Sequence, residues 1–200
     1  HAGGYVALGD SFTANSYHGP GATGNGCDQS GRNQPHVVQA RLGYASFVDA
    51  SCDGATTNDI LTNGNGDQAQ ISFVTSATKL VTVSIGGNDV GFSDIVKNCT
   101  LDYLSFGGCK ADYVSGTTDS LSAKISQTQP KIAQVLATVK SRAPQAKIFV
   151  YGYPTLVPMS GSSGCTGLTL ASSDIPYIRA KQAEFETMLR STTQAAGATF

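Results

Sequence analysis

The segment Gly9-Asp10-Ser11-Phe12 directly follows the short apolar run Tyr5-Val6-Ala7-Leu8. A serine hydroxyl attacks a carbonyl only when a base takes its proton and donors hold the oxyanion that forms. Ser11 sits in a glycine-opened turn after a strand, where its side chain can be exposed. Its own backbone N–H, at the start of the next helix, can point toward developing negative charge. Asp10 and Ser11 are also common helix caps, and local sequence alone favours that reading. Two further positions can supply donors. Gly54 lies in a loop where the lack of a side chain lets a backbone N–H approach a ligand closely. Asn88 follows Gly86-Gly87 at the end of an apolar run, so its amide can donate into the same cleft. Both also read as ordinary turn residues, and glycine is abundant at 23 residues. Asp89 is expected to orient its loop through backbone hydrogen bonds, without a catalytic role.

The elements that must position these residues alternate along the chain. Tyr5–Leu8 reads as a buried strand, Tyr44–Val48 as a second, Leu80–Ile85 as a third and Lys147–Tyr151 as a fourth. Thr199-Phe200 begins a fifth. Between them, Ile125, Ile132, Val135, Leu136 and Val139 form an apolar stripe at helical spacing, with an irregularity expected at Pro130. Asp174 is a candidate N-cap ahead of Pro176, opening a helix through Ile178, Phe185, Met188 and Leu189. These stripes read as core. Strands alternating with helices predict an α/β fold with a parallel sheet covered on both faces. Ligands of such sheets bind beyond the carboxyl ends of the strands. The loops starting at Gly9, Ser51, Gly86 and Gly152 therefore gather on one edge.

Composition narrows the function classes. A formal net charge of -1, with 14% charged residues, leaves no basic field for nucleic acid or anionic membrane. No apolar run approaches the roughly 18 residues needed to span a bilayer, so stable membrane insertion is not expected. No charged and apolar leader precedes His1, which is read as close to a mature N-terminus. The five cysteines, Cys27, Cys52, Cys99, Cys109 and Cys165, match no zinc spacing and read as disulfides of an oxidising compartment. Cys99 and Cys109 bracket a short polar loop, and Cys27 can reach Cys52, which leaves Cys165 over. Asn98-Cys99-Thr100 is a glycosylation sequon, relevant in a eukaryotic source.

Tyr5–Phe12 resembles the first block of the SGNH (GDSL-type) hydrolases. Cys52-Asp53-Gly54-Ala55-Thr56-Thr57 resembles their second block, and Val83–Asp89 their third. The resemblance is closest to the disulfide-containing secreted lipases and esterases of the streptomycete type, and it runs over residues 1–200 as one domain. It implies a flavodoxin-like three-layer α/β/α sandwich and hydrolysis of small-molecule or lipid esters, with no metal or organic cofactor. By the same resemblance Ser11 is the nucleophile and donates its backbone N–H to the oxyanion hole. Gly54 adds a second backbone donor and Asn88 a side-chain donor.

The family's base is a histidine in a last block, Asp-x-x-His or a relative of it, after the fifth strand. The three histidines here, His1, His18 and His36, all lie near the start. None matches that block. The expectation is a domain that lacks its C-terminal catalytic-histidine segment, with Cys165 pairing, as in relatives, to a cysteine of that segment. Residues 1–200 alone are then expected to be nearly inactive. Phe12, Phe92 and Tyr153 hint at a lipophilic substrate but read more readily as core. Two rival readings share these residues: a non-catalytic ester- or glycan-binding protein on the same fold, and an acyltransferase.

Overall fold

The computed structural model describes residues 1–15, 26–62, 68–101, 108–162 and 170–200. In chain order these form β1 (Gly4–Gly9), α1 (Ser11–Ala14), α2 (Gln34–Leu42), β2 (Ser46–Asp49), α3 (Thr57–Leu61) and a 3-10 turn at Gln70–Phe73. Next come β3 (Thr78–Ser84), α4 (Gly87–Val90), α5 (Phe92–Leu101), α6 (Lys110–Tyr113), and a small hairpin of β4 (Val114–Ser115) and β5 (Thr118–Asp119). The chain continues into α7 (Ser120–Arg142), β6 (Lys147–Val150) and α8 (Asp174–Ala195).

Four strands make a parallel sheet in the order β2-β1-β3-β6. A parallel bridge from Phe149 to Thr199 continues it outward, where the sequence places the start of a fifth strand. The chain steps from β1 to one side and then crosses to the other, so the topological switch point lies between β1 and β3. Their carboxyl ends lead into Ser11 and into Gly86-Gly87-Asn88. The two most chemically suggestive loops thus flank the crevice where sheets of this topology bind ligands.

Alternation along the strands sorts the two faces. Val6, Leu8, Val81, Val83, Ile148 and Val150 share a core with Ile132, Val135 and Leu136 of α7 and Phe185 and Leu189 of α8. Each fully buried aliphatic side chain there contributes about 1.5–3 kcal/mol. Tyr5, Ala7 and Leu80 face the other way, against Val38 of α2 with Tyr44 and Phe47. Helices thus lie on both faces of the sheet, as the predicted α/β layering requires.

Three local expectations need correction. The second strand begins at Ser46, since Tyr44 spends its ring on His1 and Tyr5 while its backbone stays outside the ladder. Helix α7 runs unbroken through Pro130, whose side chain lies at the surface, and the buried stripe on either side holds the helix together. Asp174 is not an N-cap. It is the first residue of α8 after Ser173, and its fully buried carboxylate accepts the backbone N–H groups of Cys109 (2.9 Å) and Lys110 (3.1 Å). Those donors at the start of α6 have no carbonyl of their own helix and outcompete capping of α8.

Disulfides join Cys27 to Cys52 and Cys99 to Cys109, as expected. Cys165 and His18 lie outside the described residues. No helix among the described residues is long and apolar enough to cross a membrane.

Candidate active site

Ser11 opens α1 directly after β1, so its N–H has no carbonyl of its own helix to bond. Asp10 is the N-cap and accepts the N–H of Phe12 at 3.0 Å. The capping reading of Asp10 is therefore right, and it leaves Ser11 free at the turn. Gly9 has to be glycine: a Cβ there would meet Thr13 Oγ1 at 2.3 Å and the Ser84 carbonyl at 2.9 Å. The Gly9 backbone is held on both sides by one buried amide. Gln70 Oε1 accepts the Gly9 N–H and Gln70 Nε2 donates to the Gly9 carbonyl, both at 2.9 Å.

The second loop is tied to the first and third. Cys52 N donates to the Gly9 carbonyl at 3.1 Å, beside the Cys27–Cys52 disulfide. Gly54 follows at φ +73°, a conformation that glycine adopts without strain, and no acceptor among the described residues takes its N–H. Asn88 Nδ2 donates to the Ala55 carbonyl at 2.9 Å. A carboxamide has two such hydrogens, so one remains for a ligand. Asp89 reaches further than its own loop. It accepts from Thr57 N at 2.9 Å and Thr57 Oγ1 at 2.5 Å, fastening α3 to the third loop.

Ser11 and Asn88 line one cleft of about 510 Å³. Its walls are largely apolar: Phe12, Phe92, Val96, Leu156 and Phe185, with Tyr153 and Pro154. Phe12, Phe92 and Tyr153, read from sequence more readily as core, are thus cleft residues, and Phe12 is 42% exposed. Gln182 also faces the cleft, but its amide is taken up by the loop after β6, accepting from Leu156 N and donating to the Pro154 carbonyl. Gly54 is not among the wall residues. It stands beside Ala55, whose carbonyl holds Asn88.

Asp10 is 2% exposed, and burial pushes its carboxyl up to about 6, with the hydrogen bond from Tyr153 pulling the other way. The Tyr153 phenol is pushed well above its ordinary value by burial and by the neighbouring Asp10 carboxylate. It stays a donor throughout the working range.

Neither described histidine attends Ser11. The amino group of His1 donates to the Gly43 carbonyl and its ring stacks on Tyr44, at the end of β1 away from Ser11. The His36 ring meets Asn33 Oδ1 at 2.7 Å, Asp49 at 3.8 Å and the edge of Phe47. Ser51 Oγ donates to Asp49 Oδ1 at 2.6 Å, so serine, aspartate and histidine do gather there. Ser51 is fully buried and bonds the acid rather than the imidazole, which leaves no base–nucleophile pair. Cys99, Cys109 and Asp174 are the described residues whose ligand atoms cluster as a metal site would require. The two thiols are joined to each other and Asp174 is occupied by backbone donors.

A serine at a strand-to-helix turn and an asparagine amide from a neighbouring loop, both lining an apolar cleft at a switch point, fit the class of carboxylic ester hydrolases. Residues 7–200 match the GDSL-like Lipase/Acylhydrolase family. The chain belongs to that family, and so to the carboxylic ester hydrolases. It is 34% identical to Lipase 2 of Streptomyces coelicolor over 98% of this chain and 68% of that protein. A Streptomyces rimosus lipase is 34% identical over 90% of this chain and 65% of its own length. The chain thus spans about two thirds of these relatives. Among solved structures it superposes on phospholipase A1 from Streptomyces albidoflavus NA297 with a TM-score of 0.84 and 29% identity, covering 100% of this chain and 78% of that one. The extracellular lipase of Streptomyces rimosus gives 0.78 and 30%, covering 100% and 79%.

Sequence reasoning missed Gln70, the Ala55 carbonyl and the hydroxyl of Tyr153 as groups that hold the site. Only the position of Tyr153, just beyond a strand end on the same edge, was a signal.

Proposed function

We propose that Ser11 attacks the carbonyl carbon of a carboxylic ester, forming an acyl-serine that water then hydrolyses. The observation that carries this reading is that Ser11, with an N–H free of its own helix, and the uncommitted amide hydrogen of Asn88 line the same apolar cleft. In the tetrahedral intermediate the carbonyl oxygen becomes an oxyanion bound by the N–H of Ser11, the amide of Asn88 and the N–H of Gly54. A histidine acting as general base takes the Ser11 proton and returns it to the leaving alcohol. Water, activated by the same base, releases the acid and regenerates Ser11.

The aromatic and aliphatic walls favour an acyl chain over a sugar, in line with relatives described as lipases and as a phospholipase A1. Two disulfides and an extracellular relative support secretion. The test is a profile of p-nitrophenyl esters from acetate to palmitate on the full-length protein and its S11A variant. The reading expects turnover that rises with chain length beyond acetate and disappears in S11A. Turnover that survives in S11A would remove Ser11 from the chemistry. Product analysis with an added alcohol acceptor separates hydrolysis from acyl transfer.

A further inference from the structure

Three loops must agree on one point if their donors are to meet one oxygen, and the structure joins them pairwise. The first and second are joined by Cys52 N on the Gly9 carbonyl. The second and third are joined by Asn88 on Ala55 and by Asp89 on Thr57. The β1–β3 ladder ends at Gly9 and Ser84, before the first and third loops begin. Beyond that pair, the hydrogen bonds that join these two loops among the described residues run through one hydroxyl. Tyr153 donates to Asp10 Oδ2 and accepts the N–H of Gly87 at 3.1 Å.

We propose that Tyr153 is a positioning residue: its hydroxyl closes the triangle of loops and so aims the Ser11 N–H and the Asn88 amide at the same oxygen. This rests on the reading of Ser11 as nucleophile. The chain of contacts is short. Asp10 Oδ1 accepts the Phe12 N–H, Asp10 Oδ2 accepts the Tyr153 proton, and Gly87 donates to the same phenolic oxygen. The bridge therefore ends one residue from Ser11 on one side and one residue from Asn88 on the other.

The ring is held in turn by Phe12 at 5.6 Å and Phe185 at 5.9 Å between centroids. A phenol can serve both loops because its oxygen donates once and accepts at the same time. Phenylalanine keeps the ring packing and removes both bonds.

The experiment compares wild-type full-length protein, Y153F and S11A, using p-nitrophenyl butyrate. Active sites are counted by a fluorophosphonate burst, and butylboronic acid serves as a tetrahedral-adduct mimic. Loss of one direct oxyanion donor costs about 100- to 1000-fold in kcat, so misaimed donors should cost less, roughly 10-fold. Y153F is expected to lose that factor in kcat per titrated site with KM within about twofold, and to bind the boronate weaker by the same factor. A purely structural tyrosine would lower the melting temperature and leave kcat per site unchanged, which overturns the proposal. A rise in KM with kcat unchanged makes Tyr153 a cleft wall alone and also overturns it. If Y153F fails to fold, Asp10→Ser replaces it. Serine keeps an N-cap acceptor for the Phe12 N–H and lacks the second oxygen that reaches Tyr153, so this variant should show the same loss in kcat alone, and a kcat within twofold overturns the proposal. Turnover persisting in S11A refutes the reading of Ser11 instead, whatever Y153F does.

Discussion

Replacing Asp89 with alanine tests how the second and third loops depend on each other. The Asp89 side chain is 3% exposed and accepts both the N–H and the hydroxyl of Thr57, itself 2% exposed. Hydrogen bonds to an ionised acceptor are worth about 1.5–3 kcal/mol each, and the donors left behind have no water to replace the carboxylate. Lys131, 3.9 Å away and 56% exposed, adds little. Relief of the buried charge offsets part of the loss, so Asp89→Ala should cost about 3 kcal/mol. For a chain of this size that lowers the melting temperature by roughly 6–12 °C. The same change frees α3 from the loop that carries Asn88, so kcat should fall roughly 10-fold or more through misplaced oxyanion donors. Asp89→Asn is the control, since its carbonyl still accepts the Thr57 N–H while its amide donates to the hydroxyl. It should lose less than half as much of each. Urea and thermal melts, with p-nitrophenyl butyrate kinetics at a temperature where all forms are folded, measure both effects. An alanine variant melting within 2 °C of wild type with kcat within twofold would show that Asp89 does not couple the two loops.

The two disulfides close loops of different length, with separations of 25 and 10 residues. The Cys27–Cys52 pair should therefore stabilise by about 3.5 kcal/mol and Cys99–Cys109 by about 2.7 kcal/mol, and paired serine substitutions compared in urea should preserve that order. The Asp10 carboxyl, raised from 3.8 to about 6, binds its proton more tightly in the folded state. The folded protein thus holds more protons than the unfolded chain between those values, and this group's contribution to stability falls as pH rises through that window. At neutral pH the ionised group costs up to about 3 kcal/mol, so the stability of Asp10→Asn relative to wild type should improve by that order between pH 4 and pH 7. Urea midpoints that move in parallel for the two proteins across that range would show that Asp10 does not titrate there.

Strands were the most legible elements, because β1, β3 and β6 are apolar runs ending near glycine and their local signal agrees with the global sheet. The edge of the sheet that bears chemistry followed from the alternation of strands and helices, which makes the sheet parallel and gathers the loops after the strands on one side. What local sequence could not disclose is contact at a distance. Gln70 grips Gly9 across 61 positions, Asp89 reaches Thr57 across 32, and Asp174 serves Cys109 across 65. Asp174 shows the failure most clearly: its position before Pro176 fits a cap, yet a buried pair of N–H donors from another segment claims the carboxylate. Phe12, Phe92 and Tyr153 illustrate a different limit. An aromatic side chain that lines a cleft and one that fills a core have the same composition and spacing, and only the packing of α5 and α8 around the switch point distinguishes them.

In the proposed mechanism Ser11 is the nucleophile and the loops around it supply the oxyanion donors. Covalent labelling of the full-length protein with a fluorophosphonate, followed by peptide mass spectrometry, tests it most directly. A single phosphonyl adduct is expected on the peptide containing Ser11, formed at the rate at which ester turnover is lost. Inactivation with the adduct on another residue, or continued turnover with Ser11 fully labelled, would contradict it.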